Sequence, residues 1–152
     1  MWASNVHFKG RYRNGSDKGD WSMTHFTVPS GWANDHNHAY DMAAAVSGRN
    51  IQTKIGSAGW IANFAVNQGS YDAVGYPAEA ITGYAFDGKY MWHSQGSFVS
   101  GNTSNIEMCN NMTQGCSGGP WSVLVSGKHR MNGLQQLPHQ RSRRHVLAVL
   151  RQ

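Results

Sequence analysis

The sequence predicts an all-β protein of short antiparallel strands, and three observations carry that expectation. From about residue 60 onward, apolar runs of a few residues recur, separated by Gly, Asn or Asp. Glycine is abundant at 18 residues while charged residues are only 14%, a mix that suits a turn-rich sheet better than a helical bundle. The 3.6-residue periodicity of an amphipathic helix is weak everywhere except near the end of the chain. At 152 residues such a chain buries roughly 70% of its unfolded surface, enough for a sizeable core.

The elements follow in order. Residues 2–8 read as a strand, and the Asn14-Gly15 turn and Gly19 after it supply the positive φ that tight turns need. Residues 21–28 alternate well enough for a half-buried strand, closed by Pro29-Ser-Gly. Residues 32–40 are polar and loop-like. Residues 41–46 are short and apolar and fit a helix or a strand equally. Residues 47–59, rich in small and polar types, make a candidate linker. Seven short runs follow, at residues 60–66, 73–76, 81–86, 90–93, 97–99, 121–125 and 131–134. Seven runs with turn signals between them point to an antiparallel sandwich or barrel. Residues 145–151 read as a short terminal helix.

The formal charge is +5, but the excess sits in Arg141, Arg143, Arg144 and Arg151. Residues 1–140 are nearly balanced, so the basic pI describes the tail and not the domain. A basic tail suits nucleic acid or acidic lipid, yet four arginines at a terminus read first as a solvated end. No stretch approaches the ~20 apolar residues of a membrane span, and residues 1–8 lack the basic and apolar regions of a signal peptide. His36 and His38, in Asp35-His-Asn-His, have no further clustered ligands elsewhere in the sequence, so a surface loop is preferred to a metal site. No cofactor is implied.

The segment Met112-Thr-Gln-Gly-Cys-Ser-Gly-Gly-Pro-Trp121 carries the chemistry. Glycines on both sides of Ser117 permit a tight turn that lifts the hydroxyl out of the backbone. They also let backbone N–H groups converge on one point, as an oxyanion hole requires. The donors would be the N–H groups of Gly115 and Ser117. A glycine-rich turn with an incidental serine is the plain alternative. The full string Gly-Cys-Ser-Gly-Gly-Pro resembles the nucleophile motif of chymotrypsin-fold, trypsin-like serine proteases, which usually has Asp where Cys116 stands. Ala39-Tyr-Asp-Met-Ala-Ala-Ala-Val46 is similar to the segment in which that family's triad acid precedes an apolar strand, and it nominates Asp41. Gly75-Tyr-Pro77 and residues 2–15 resemble the glutamyl-endopeptidase-like (V8-like) branch, so the likeness covers about residues 2–136.

The resemblance implies a chymotrypsin-like double antiparallel β-barrel whose first barrel is incomplete. Residues 1–50 would be the end of the first barrel and residues 51–152 a second barrel with a short basic tail. It implies a secreted serine endopeptidase acting on protein or peptide substrates, with chain order His, Asp, Ser in the triad. The family takes its base from a Thr-Ala-(Ala/Gly)-His-Cys string. None of the eight histidines stands in such a string, so the expectation is a chain whose first barrel starts after the catalytic histidine, inactive as it stands and prone to aggregate or dimerise. Cys109 and Cys116 enclose residues 110–115; an oxidising compartment permits a disulfide there, and a buried thiol at Cys116 is the alternative. Without the usual Asp, activation by an ion pair to a freed N-terminus is not expected. Residues 132–136 resemble the strand bordering the specificity pocket. Two readings of other classes stand beside the protease: a non-catalytic peptide-binding module on the same fold, and anionic-surface binding through the arginine tail.

Overall fold

The structure, a computed structural model, describes residues 3–65, 67, 69–102, 105–136 and 144–149. Its regular structure is almost all strand, with two short helices and one 3-10 turn. The chain divides into two compact units, Met1–Ser57 and Ala58–Gln152.

The first unit holds a three-stranded antiparallel sheet in the order β1-β2-β3, made of β1 (His7–Lys9), β2 (Asp20–Thr27) and β3 (Ala44–Ser47). Among the described residues Trp21 is the unit's buried hydrophobic side chain. It pairs with Phe8 across β1 and β2, ring centroids 6.1 Å apart. Two short helices, α1 (Ser30–Asp35) and α2 (Gln52–Ile55), flank β3 in the chain. The stretch after Gly31 is not wholly irregular, because α1 ends at His36 in the left-handed region and a 3-10 turn spans His38–Tyr40. Trp32 lies edge-on to both His36 and His38, at 5.7 Å from each ring. One face of the unit is left as an open groove of about 420 Å³, lined by Val6, Phe8, Met23, Ala45, Ile51 and Ile55 among others.

The second unit is a seven-stranded sheet. Its strands are β4 (Gly59–Trp60), β5 (Ser70–Gly75), β6 (Trp92–Gly101), β7 (Asn105–Cys109), β8 (Pro120–Val125), β9 (Lys128–Gln136) and β10 (Arg144–Val149). The order is β10-β7-β6-β5-β8-β9-β4, and β10 also pairs with β9. Period-two alternation builds the core. Tyr71 and Ala73 on β5 and Trp121 and Val123 on β8 point inward, with Ile106 and Met108 from β7. Trp121 is fully enclosed and stands 6.0 Å from the Tyr71 ring. Burying one such aromatic contributes on the order of 3 kcal/mol from its apolar area alone.

The terminal helix expected over residues 145–151 is corrected: Arg144–Val149 is strand β10. An isolated helix of so few residues is marginal in water. As a strand, the same residues pair along β7 on one side and β9 on the other, which occupies their backbone groups. Strand β6 takes in the end of the run at 90–93 and all of the run at 97–99, and the run at 81–86 begins with a tight turn closed by an Ile81–Tyr84 bridge. The tail arginines Arg141, Arg143 and Arg151 lie outside the described residues. Among the described residues no helix is long and apolar enough to cross a membrane.

Candidate active site

Residues 114–119 form two successive turns just before β8. The first is anchored where Ala78 N–H donates to Gln114 O at 2.7 Å and Cys116 N–H donates to Thr113 O at 3.3 Å. Gly115 has φ +98°, and a Cβ there would stand 2.7 Å from Tyr76 O; only glycine fits. The second turn is anchored on β9, with Gly118 N–H donating to Gln135 O and Gln135 N–H donating to Gly119 O, both at 2.8 Å.

The turn sends adjacent side chains in opposite directions. Ser117 is exposed. Cys116 points into the core at 1% exposure, with its thiol 3.5 Å from Met112 Sδ. Burial pushes the Cys116 thiol up to about 11, only partly offset by the hydrogen bond to Thr113. Among the described residues, the N–H groups of Gly115 and Ser117 donate to no protein acceptor. Two unengaged N–H groups beside an exposed hydroxyl are the elements from which an oxyanion site is made.

The expected Cys109–Cys116 disulfide is not formed. Both cysteines are free, Cys109 exposed on β7 and Cys116 buried. The reason lies in where each strand directs its side chain: Ile106 and Met108 fill the core, so Cys109 alternates out of it, while Cys116 fills the core beside Met112.

Asp41 belongs to the first unit. It caps the 3-10 turn, its N–H donating to His38 O at 3.3 Å, and leads into β3 at Ala44. It is half-buried. Thus Gly115, Cys116 and Ser117 lie on the two successive turns of the second unit, and Asp41 stands in the other unit, just before an apolar strand.

The structure holds polar groups that the sequence alone does not single out. His7 Nδ1 lies 2.7 Å from Asp20 Oδ1 and its Nε2 3.1 Å from Asn5 Oδ1, so both ring nitrogens are engaged. The His7 hydrogen bond holds the Asp20 carboxyl below its ordinary range. In the second unit Asp72 is only 8% exposed. Its oxygens meet His93 Nε2 at 2.7 Å, Gln95 Nε2 at 3.3 Å and His129 Nδ1 at 3.3 Å. Ser122 Oγ is 3.4 Å from that same His129 nitrogen. A base that relays a proton needs one nitrogen for the acid and the other for the nucleophile, so this cluster is no second triad. It is what a buried carboxylate requires, since an unpaired buried charge is costly. Among the described residues no group of three such side chains is arranged to hold a metal ion. The inward alternation of Tyr71 and Ala73 is the available signal, because it puts Asp72 on the other face. Among the described residues, neither side-chain atom of Gln135, enclosed on β9, has a partner, and Asn132 Oδ1 and Trp121 Nε1 likewise find none.

No protein-family model matches the chain, and no curated protein is similar enough in sequence to count as a relative. Solved structures are similar. The protease Anisep from Arthrobacter nicotinovorans is 27% identical over 100% of this chain and 72% of its own, with a TM-score of 0.86. The thermostable serine protease AL20 from an extremophilic microorganism is 26% identical over 95% of this chain and 69% of its own, with a TM-score of 0.79. A Glu endopeptidase shares the fold at 19% identity and a TM-score of 0.77, and this chain spans 64% of its length. The chain therefore has the all-β fold of the trypsin-like, V8-like serine proteases, with the first of the two barrels incomplete.

Proposed function

We propose that the chain is a serine endopeptidase that cleaves peptide bonds through an acyl-enzyme on Ser117. The observation that carries the reading is the exposed Ser117 hydroxyl on a turn whose Gly115 and Ser117 N–H groups are unengaged among the described residues. Likeness to Anisep and AL20 supports it. Ser117 Oγ attacks the substrate carbonyl carbon and gives up its proton. The two N–H groups receive the negative oxygen of the tetrahedral intermediate. The C–N bond then breaks, the amine leaves with a proton, and water hydrolyses the ester.

A serine hydroxyl is a weak nucleophile until a base takes its proton. In this reading Asp41 orients a histidine held in the family's Ala-His-Cys string, which this sequence does not contain. The 152 residues alone are therefore expected to turn over peptide and ester substrates very slowly and to react poorly with fluorophosphonates. No cofactor enters any step, and an extracellular site of action goes with the reading.

The test compares this chain with one lengthened at its start by a segment bearing Ala-His-Cys. The longer chain should gain amidolysis and fluorophosphonate labelling at Ser117. Ser117→Ala in it should abolish both, and Asp41→Asn should cost on the order of 10⁴ in turnover through the wrong histidine tautomer. A peptide-binding module would keep its affinity in every one of these proteins. Rapid hydrolysis by the short chain that Ser117→Ala leaves unchanged would overturn both the nucleophile and the mechanism.

A further inference from the structure

The segment between β5 and β6 carries a cluster of aromatic rings at the surface. Tyr84 stacks on Phe86 with centroids 5.2 Å apart, and Trp92 meets Phe86 edge-on at 4.9 Å and Tyr84 at 6.0 Å. Phe86 is sealed at 4% exposure, whereas Tyr84 and Trp92 keep 40% and 37% of their surface in solvent. One buried ring thus props two exposed ones. Aromatic side chains lose little rotamer entropy when they bind and present large apolar area, which is why they dominate recognition hot spots.

The placement of this platform is specific. Trp92 pairs with Gly75 across β5 and β6. A Cβ on Gly75 would stand 2.8 Å from Cys116 Sγ and 3.4 Å from Cys116 Cα, so the backbone that carries Ser117 lies against the partner of Trp92. The same segment is fastened to the nucleophile turn at its start. Ala78 N–H donates to Gln114 O at 2.7 Å, Glu79 N–H donates to Thr113 Oγ1 at 3.2 Å, and Thr113 Oγ1 donates back to Glu79 O at 2.8 Å. Gly88 N–H donates to Pro77 O at 2.8 Å and draws the far end of the segment back to its start.

We infer that the Tyr84–Phe86–Trp92 platform is a subsite for polypeptide substrates, taking an aromatic or large aliphatic side chain near the bond that meets Ser117. The occupant is an extended polypeptide, because the platform adjoins the turn that carries the exposed serine. Its chemistry is apolar, because the three rings offer faces and edges. The charges nearest in sequence, Asp87 and Lys89, neutralise each other at 3.2 Å. The inference builds on the proposed reading of Ser117, but the binding it describes does not need catalysis.

The experiment uses the 152-residue chain and fluorescein-labelled octapeptides of one polar sequence in which a single Phe, or a Gly in its place, is walked along the positions. Fluorescence anisotropy gives Kd for each. At one or two adjacent positions Phe should bind at least tenfold tighter than Gly. Tyr84→Ala and Trp92→Ala should each erase that preference, and Trp92→Phe should retain most of it. If Trp92→Ala fails to fold, Tyr84→Ala and the wild-type series still decide. Equal affinity for Phe and Gly at every position overturns the subsite, as does a preference that survives in a folded Tyr84→Ala chain. A Phe preference in a protein whose lengthened form shows no labelling of Ser117 would leave the subsite standing and sink the nucleophile. Labelling of Ser117 without a Phe preference would do the reverse.

Discussion

Thiol alkylation offers a sharp test of how the turn that carries Ser117 is built. The turn sends Ser117 outward and Cys116 inward, and the Cys116 thiol is pushed up to about 11. Only the thiolate reacts. At pH 8, three units below that value, about one Cys116 in a thousand is ionised. Reaction also needs the core around Tyr71, Met112 and Trp121 to open. An opening free energy of a few kcal/mol lowers the reactive fraction by roughly another hundredfold or more. Cys109 is exposed and free. A pulse of iodoacetamide at pH 8 on the native protein should therefore place one label per chain, on Cys109. The second label should appear only in denaturant. Both cysteines fall in the tryptic peptide of residues 90–128, so fragmentation mass spectrometry assigns each label. Cys116 labelling within tenfold of the Cys109 rate would refute the inward turn. Failure of both to react until a reductant is added would refute the free thiols.

Four further outcomes follow from the same geometry. Because the folded Cys116 value lies above the ordinary 9.0, the native state holds the proton longer than the unfolded chain. Stability should fall as pH rises from about 9 through about 11, by about 2–3 kcal/mol more than in Cys116→Ala; parallel urea-melt profiles for the two proteins over that window would contradict the buried thiol. Gly115→Ala should cost about 2–4 kcal/mol from positive-φ strain and the clash with Tyr76 O, and Trp121→Ala about 3–5 kcal/mol; a loss under 1 kcal/mol in denaturant titrations would contradict either placement. The open apolar groove of the first unit should drive self-association at micromolar concentration, read as a weight-average mass above 16.8 kDa in sedimentation, and a monodisperse, cooperatively melting monomer would count against it.

Local features are legible from the residues alone. The alternation of residues 21–28 marks β2 and the apolar run at 121–125 marks β8, because much of what makes a strand is written in its own residues. The turn that carries Ser117 is legible because Gly115 and Gly118 reach the positive φ that other residues rarely adopt. The rest depends on partners far along the chain. In the sequence Gly96 looks like a break between two runs; it is inside β6, where a side chain would strike Met108 and the backbone of Cys109 on β7. Its role is close approach, and only the neighbouring strand reveals that. Residues 144–149 are strand and not helix because β7 and β9 present backbone groups on both sides, a choice no seven-residue pattern encodes. The cysteine pair, close in sequence and plausible as a staple, is parted by opposite side-chain directions. Asp72, His93 and His129 meet only because β5, β6, β8 and β9 lie side by side. Short-range sterics set turns and strand faces, whereas side chains from distant strands converge only once pairing order and register have been decided by the fold as a whole.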